Sequence, residues 1–156
     1  MMDVHRMAGH LIRRLHQHST QVFSTRMQAL GLDLTPVQFA AMSAIAATPG
    51  IDQARIAAEI GYDRATLGGV IDRLEQKGTI TRAVSRLDRR AREVRLTEKG
   101  ESLLEATRPE VIALQDDILS GLSEAERALF LDLAGKALGL QGAAPAGSTS
   151  TDSVTL

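Results

Sequence analysis

Six arginines fall within sixteen positions of this 156-residue chain, and no lysine lies among them. Residues 80–95 contain only two acidic side chains, Asp88 and Glu93, so the segment has a net charge of +4. A guanidinium group is planar and weakly hydrated, and it suits phosphate oxygens and narrow DNA minor grooves. The segment predicts an anion-binding site rather than an ordinary solvated hairpin, and its arginines are Arg82, Arg86, Arg89, Arg90, Arg92 and Arg95.

Charge is distributed unevenly along the chain, although the net charge is only −1. Residues 62–99 hold ten basic and six acidic side chains, whereas residues 100–156 hold three and nine. A basic middle and an acidic end favour a polyanion site in one subregion. The absence of cysteine excludes thiol chemistry and cysteine zinc sites, and four aromatic residues are too few for a base-stacking platform.

Hydrophobic spacing and capping residues predict four helices before the arginine-rich segment. They are expected at about residues 4–31, 36–48, 52–60 and 63–77. The second begins with a capping box of Thr35 and Gln38. The fourth is capped by Asp63, and its apolar stripe consists of Leu67, Val70, Ile71 and Leu74.

The hydrophobic period changes from helical to alternating after residue 78. Ile80 and Val84 predict one strand, and Val94 and Leu96 predict a second. The link at residues 85–90 becomes the charged tip of a two-stranded hairpin. Asp88 in that tip would repel DNA, so we expect it to pair with a nearby arginine and hold it in register.

Two further helices and a polar tail follow the hairpin. A helix from Thr97 to about residue 120 contains Pro109, which predicts a kink or a break near Thr107. Ser123 and Glu126 form a second capping box and begin the last helix. From residue 141 the small, polar composition predicts a disordered tail, residues 141–156.

This order of elements predicts a mostly α protein with a small β-hairpin, arranged as a winged helix-turn-helix flanked by N- and C-terminal dimerisation helices. We expect the first dimerisation helix within residues 1–33, the winged helix-turn-helix within 34–100 and the C-terminal dimerisation helices within 101–140. The terminal helices carry more apolar surface than the central core needs, and a homodimer covers it economically.

The fourth helix presents a small, partly basic face opposite its apolar stripe. Ala65 and two adjacent glycines, Gly68 and Gly69, form this face, and the side chains flanking it are Arg64, Thr66 and Arg73. Each helical glycine costs about 0.8–1.0 kcal/mol relative to alanine. Two explanations stay open: close approach of the helix to DNA, with Ala65 beside a thymine methyl, or tight packing against a neighbouring helix. Thr66 either donates to a base edge or bonds back to its own helix.

Five short motifs resemble the MarR family of bacterial transcriptional regulators, in the same order and over residues 7–140. They are LTPVQ at 34–38, YDRAT at 62–66, DRLEQKG at 72–78, DRRA at 88–91 and LTEKG at 96–100. The resemblance implies an obligate homodimer that binds a palindromic double-stranded DNA operator, usually as a repressor that a small ligand releases. It implies that Arg90 reaches the minor groove while Asp88 braces the wing. Many relatives carry polar or basic side chains in place of Gly68 and Gly69.

The resemblance also implies an effector pocket where the dimerisation helices meet the winged domain, formed by the first helix, by Phe39 and Met42, and by the helix after Thr97. Arg14 with His16 or His18 would hold a carboxylate there by charge-assisted hydrogen bonds. His16 and His18 are two positions apart and cannot chelate one metal from one helix face, so we expect no metal site. The stretch GHLIRRLHQ at 9–17, together with Asp63-Arg64 and Gly68-Gly69, is similar to relatives that control nicotinic acid degradation, which implies a small aromatic carboxylate effector such as a hydroxynicotinate.

Two alternative classes of function remain to be weighed. A winged helix can bind another protein without sequence-specific DNA binding, and the arginine-rich tip argues against that reading. An enzyme is disfavoured because the sequence lacks metalloprotease, nucleophile-elbow, P-loop and dinucleotide motifs, so we expect no cofactor. The chain also lacks an apolar run of membrane-spanning length and a secretory signal, so we expect a cytoplasmic protein without membrane contact.

Overall fold

A computed structural model describes residues 3–140 of the chain, and these form two units whose boundary lies between residues 118 and 119. The predicted tail at 141–156 lies outside the described residues. The helices of the first unit are a 3₁₀ turn at Val4–Arg6 and α1 (Ala8–Ala29), α2 (Pro36–Ala47), α3 (Gln53–Ile60), α4 (Arg64–Gln76) and α5 (Glu98–Ile118). Its strands are β1 (Ile51–Asp52), β2 (Ile80–Val84) and β3 (Arg92–Leu96).

The predicted helix starts agree with the observed caps. Thr35 and Gln38 form a reciprocal capping box at α2, and the Asp63 carboxylate accepts from the N–H of Thr66 at the start of α4. The predicted first helix is interrupted, because Met7 has an extended backbone between the 3₁₀ turn and α1. α5 runs through Pro109, so the helix is not broken near Thr107. There the buried Thr107 hydroxyl donates to the Leu103 carbonyl at 2.8 Å.

The hairpin forms as predicted, and a third strand that the sequence pattern did not indicate joins it. The sheet is antiparallel with the order β1-β3-β2, and Ile51 lies opposite Val94 while Ile80 lies opposite Leu96. The third strand has only two residues, which is too short for an alternating pattern. Residues 3–140 therefore contain six α-helices and a small three-stranded sheet, a mostly α winged-helix fold.

The core of the first unit lies between the helices and the inner face of the sheet. Leu67, Ile71 and Leu74 of α4 are fully buried there, as the apolar stripe predicts. Met42, Ile45, Ile56 and Val94 pack in the same cluster. Leu104 and Leu114 of α5 also belong to it, as do Phe23 and Met27 of α1.

A tight junction connects the end of α4 with the start of α5. The Thr97 hydroxyl donates to the Gly78 carbonyl at 2.6 Å and accepts from the N–H of Gly100 at 3.1 Å. A Cβ atom at Gly100 would collide with the carbonyl oxygen of Thr79. This contact explains the glycine at the end of the LTEKG motif.

The second unit contains one helix among its described residues, α6 (Glu124–Ala137). Ser123 and Glu126 form the predicted capping box at its start. Its exposed apolar side chains include Leu129, Leu131 and Leu133, which are 56–62% exposed. Across the described residues, the helices lack the combination of length and hydrophobicity that a membrane crossing requires.

Candidate nucleic-acid interface

α4 is held by its buried stripe so that its first turn faces outward. Arg64, Ala65 and Thr66 are all exposed. Arg73 is exposed about two turns further along the helix. The outward face is therefore small and basic, and it lies opposite the core.

Thr66 and Asp63 form a closed cap at the start of α4. The backbone N–H of Thr66 donates to Asp63 Oδ1 at 2.8 Å, and its hydroxyl donates to Oδ2 at 2.6 Å. These hydrogen bonds, the side-chain one foremost, lower the pKa of the Asp63 carboxyl. The Thr66 hydroxyl hydrogen is thus engaged within the helix cap, while its oxygen can still accept.

The glycine pair on α4 is not explained by packing among residues 3–140. A Cβ atom at Gly69 would meet nothing within 4 Å, and one at Gly68 would meet only the Gln53 Nε2 atom, at an ordinary 3.5 Å. The contrast with Gly100 is direct, because there a backbone carbonyl blocks any side chain. Tight packing against a neighbouring helix of this unit is therefore not the reason for these two glycines.

The tip of the hairpin is fixed by its own backbone and two short polar side chains. Ser85 Oγ accepts from the N–H groups of Leu87 and Asp88 at 3.2 and 3.3 Å. Asp88 Oδ1 accepts from the N–H of Arg90 at 2.9 Å. The expectation that Asp88 pairs with an arginine side chain is therefore wrong, because its carboxylate binds the turn backbone instead. Arg86, Arg89 and Arg90 are exposed around this turn.

Two of the six hairpin arginines are engaged elsewhere. Arg82 Nη2 lies 2.9 Å from both Asp72 and Glu75 of α4, which joins β2 to that helix. The hydrogen bond with Glu75 raises the pKa of Arg82 and lowers that of Glu75, against a smaller effect of desolvation. Arg95 lies against Gly50 and 3.7 Å from Glu93. The sequence alone does not distinguish these arginines from those at the tip.

A groove of about 490 Å³ separates the start of α3 and α4 from the hairpin tip. Arg64, Arg90 and Arg92 line it together with Asp52, Asp88 and Gln53. Three arginines, one from α4 and two from the hairpin, thus line one concave surface. Sequence analysis did not identify Gln53, because a lone polar residue at a helix start is an ordinary feature.

The five predicted effector residues do not share one cavity. Arg14 and His18 line a depression of about 300 Å³ on α1, together with two residues that sequence analysis missed, His5 and His10. The His10 Nε2 atom is buried without a hydrogen-bond partner among the described residues. His16 is not among the residues that line this depression.

The other two predicted effector residues lie in or against the core. Met42 is fully buried, and Phe39 is half-buried with its ring centroid 6.4 Å from that of Phe23. Sequence spacing placed them on α2 but did not show which side of the helix the core covers. Within residues 3–140 there is no cluster of three acidic or histidine side chains arranged to hold a metal ion.

The MarR family model matches residues 32–91. The transcriptional regulator HosA of Escherichia coli O157:H7 is 36% identical over 135 residues, which cover 86% of this chain and 97% of HosA. The HTH-type transcriptional repressor NicR of Pseudomonas putida is 31% identical over 131 residues, covering 84% of this chain and 82% of NicR.

Solved structures of regulators share the fold. BpsR of Bordetella bronchiseptica, described for regulation of its DNA binding by 6-hydroxynicotinic acid, superposes with a TM-score of 0.82 at 27% identity over 88% of this chain and 97% of BpsR. The repressor CouR bound to a 23-mer DNA duplex superposes with a TM-score of 0.77 at 26% identity over 86% of this chain and 94% of CouR.

Proposed function

The chain belongs to the MarR family of DNA-binding transcriptional regulators, and from that premise we propose that it is a dimeric repressor of a catabolic operon, released from a palindromic operator by a small aromatic carboxylate. Two features together support the DNA-binding surface. The α4 face around Gly69 is open, and the arginine-rich hairpin tip is held by a hydrogen bond from the Arg90 backbone N–H to Asp88. Such a protein acts where the chromosome lies, in the cytoplasm, and as a binder rather than an enzyme.

In this proposal α4 enters the major groove. Its contacts come from Arg64, Ala65, Thr66, Gly68, Gly69 and Arg73. Nothing lies within 4 Å of the position that a Cβ atom would take on Gly69, so the surface above it is open. This open surface supports close approach of the helix backbone to the bases or phosphates. Part of the sequence preference then comes from the shape of the groove rather than from long side chains.

The hairpin tip supplies the second contact, in the adjacent minor groove. Arg90 inserts there, flanked by Arg86 and Arg89 on the phosphates, and Asp88 holds the turn. Since the Asp88 carboxylate accepts a backbone N–H, part of its negative charge is compensated within the turn. This arrangement supports a cationic tip whose geometry does not depend on side-chain ion pairs.

The terminal segments supply the dimer contacts in this proposal, within residues 1–33 and 101–140, and residues 34–100 contact DNA. Exposed apolar side chains support this division. On the 3₁₀ turn and α1 they are Val4, Met7, Leu11, Ile12 and Leu15, between 37% and 65% exposed. On α6 the same holds for Leu129, Leu131 and Leu133. A symmetric dimer presents two α4 helices to two half-sites.

The depression on α1 is the proposed effector site. Arg14 and His18 line it and can hold a carboxylate by charge-assisted hydrogen bonds. NicR and the 6-hydroxynicotinic acid response of BpsR support a hydroxynicotinate as effector class. The proposed site also includes His16 on α1 and Phe39 and Met42 on α2, although none of the three lines the depression. Met42 is fully buried, so it contacts an effector only if α2 shifts.

Effector release tests this function in one assay. Wild-type protein selects an operator duplex from a random pool, and fluorescence anisotropy then follows its displacement. We expect 6-hydroxynicotinate to release the duplex and its uncharged amide to leave it bound. Arg14→Ala keeps DNA affinity and loses release. Failure to select any duplex contradicts DNA regulation and favours a protein partner, whereas equal release by acid and amide contradicts the carboxylate site.

A further inference from the structure

The groove between α3, α4 and the hairpin tip is lined by cations that are not neutralised within the described residues. Arg64, Arg90 and Arg92 form no ion pair within 4 Å across residues 3–140. Its two carboxylates, Asp52 and Asp88, each accept a backbone N–H at 2.9 Å. The balance of the groove is therefore cationic, which favours an anionic occupant.

Gln53 lies on the α4 side of this groove. Its Nε2 atom is 3.5 Å from the position that a Cβ atom would take on Gly68. The amide nitrogen therefore lies beside Gly68 at an ordinary van der Waals distance from that position. Across residues 3–140 it has no hydrogen-bond partner, although the residue is half-buried. An amide in this position has two unused N–H donors.

Arg92 lines the same groove at the start of β3, next to Glu93, which lies opposite Asp52 of β1. Its charge contributes to lowering the pKa of Glu75 on α4, yet the two groups form no ion pair. Glu75 is paired with Arg82 instead, at 2.9 Å. The guanidinium group of Arg92 is thus left exposed beside the groove.

We propose that this groove binds one DNA backbone phosphate in each half-site, with Gln53 donating its amide N–H and Arg92 its guanidinium. The inference rests on the proposed DNA binding and extends it to two residues outside the helix face and the hairpin tip. A neutral donor and a cation that line one groove between α4 and the hairpin tip suit a phosphate oxygen, which accepts hydrogen bonds from both kinds of N–H group.

The test removes the side-chain donor from the protein and the phosphate charge from the duplex, first separately and then together. The probe is the duplex selected by the wild-type protein, with single phosphates replaced in turn by neutral methylphosphonates. The variants are Gln53→Ala and Arg92→Ala, with Gln28→Ala on α1 as the matched control. Folding of each variant is checked by thermal unfolding, since α3 and β3 belong to the core unit.

We expect Gln53→Ala to lower affinity about tenfold, as the loss of a hydrogen bond to a charged group does. At one methylphosphonate position in each half-site, the affinity loss of Gln53→Ala and that of the modified duplex should not multiply when the two are combined. The variant and the modified phosphate then remove the same contact. Arg92→Ala should couple to the same position and reduce the salt slope by about one.

Three outcomes overturn the proposal. If the affinity losses of the variants and of the methylphosphonates multiply at every phosphate position, Gln53 and Arg92 do not contact a phosphate. Unchanged affinity of Gln53→Ala on a duplex that the wild type binds excludes a role for its amide. Coupling to a base substitution and to no phosphate makes Gln53 a base reader. If the wild type selects no duplex, the failure belongs to DNA binding itself and is seen before any variant is measured.

Discussion

The Asp88 carboxylate accepts a hydrogen bond from the backbone N–H of Arg90 at 2.9 Å, and the Arg90 guanidinium forms no ion pair among residues 3–140. The acid therefore shapes the turn, and the base two residues later remains available at its tip. This separation of roles explains an acidic residue in an otherwise cationic segment.

The brace predicts different effects for two substitutions of Asp88. Asp88→Asn keeps a carbonyl oxygen that can accept the Arg90 N–H, so we expect DNA affinity close to that of the wild type. Asp88→Ala removes the acceptor, and we expect a several-fold loss, since one exposed hydrogen bond contributes about 0.5–1.5 kcal/mol. Anisotropy titration measures both, and equal losses would show that the carboxylate charge matters rather than the brace.

The junction between Gly100 and Thr79 predicts a large loss of stability from one methyl group. In Gly100→Ala the Cβ would collide with the Thr79 backbone carbonyl, which no rotamer relieves. We expect the free energy of unfolding to fall by about 1–3 kcal/mol or more, the usual range for overpacking. Denaturant unfolding measures it, and an unchanged midpoint would contradict the close approach.

Gly69→Ala is expected to separate stability from function. Nothing lies within 4 Å of the added Cβ, so removing a helical glycine should raise stability by about 0.8–1.0 kcal/mol. DNA affinity should fall, because the methyl group enters the space through which the helix approaches the groove. Paired thermal melts and binding titrations measure both quantities. A variant that is more stable and binds DNA equally well would refute the close approach.

The pairing of Arg82 with Glu75 predicts a pH-dependent contribution to stability. The pKa of Glu75 is lowered in the folded chain from its ordinary 4.5. Its stabilising effect is therefore full above 4.5 and is lost as the pH falls through the folded value. We expect Arg82→Ala to melt below the wild type at neutral pH and the difference to shrink in acid. Arg108→Ala, an exposed arginine on α5, is the control, and a constant difference in acid would exclude the ion pair.

Local chemistry made much of the fold predictable. Capping at Thr35, Asp63 and Ser123 depends on residues three positions apart, so sequence spacing alone indicates it. Strand β1 has two residues and exists only because β3 pairs with it, which a local pattern cannot reveal. α5 continues through Pro109, whose type predicts a kink or a break, so only the break is ruled out.

The residue types of the candidate site could be predicted from the sequence, but the groups with which these residues pair could not. The exposed arginines at the tip follow from composition. The pairing of Arg82 with Asp72 and Glu75 depends on how β2 packs against α4, which the sequence alone does not show. The two explanations for Gly68 and Gly69 were separable only from the space around them. Likewise, the burial of Met42 and the grouping of His5 and His10 with Arg14 depend on how the helices pack.

The salt dependence of DNA affinity for Arg90→Ala tests the central claim most directly. Wild type, Arg90→Ala and the control Arg108→Ala are titrated against the selected duplex over a range of salt concentrations. We predict a steep decline for the wild type, a loss of about 1–3 kcal/mol and about one unit of slope for Arg90→Ala, and no change for the control. Equal slopes and affinities for all three folded proteins would contradict a DNA-binding hairpin tip.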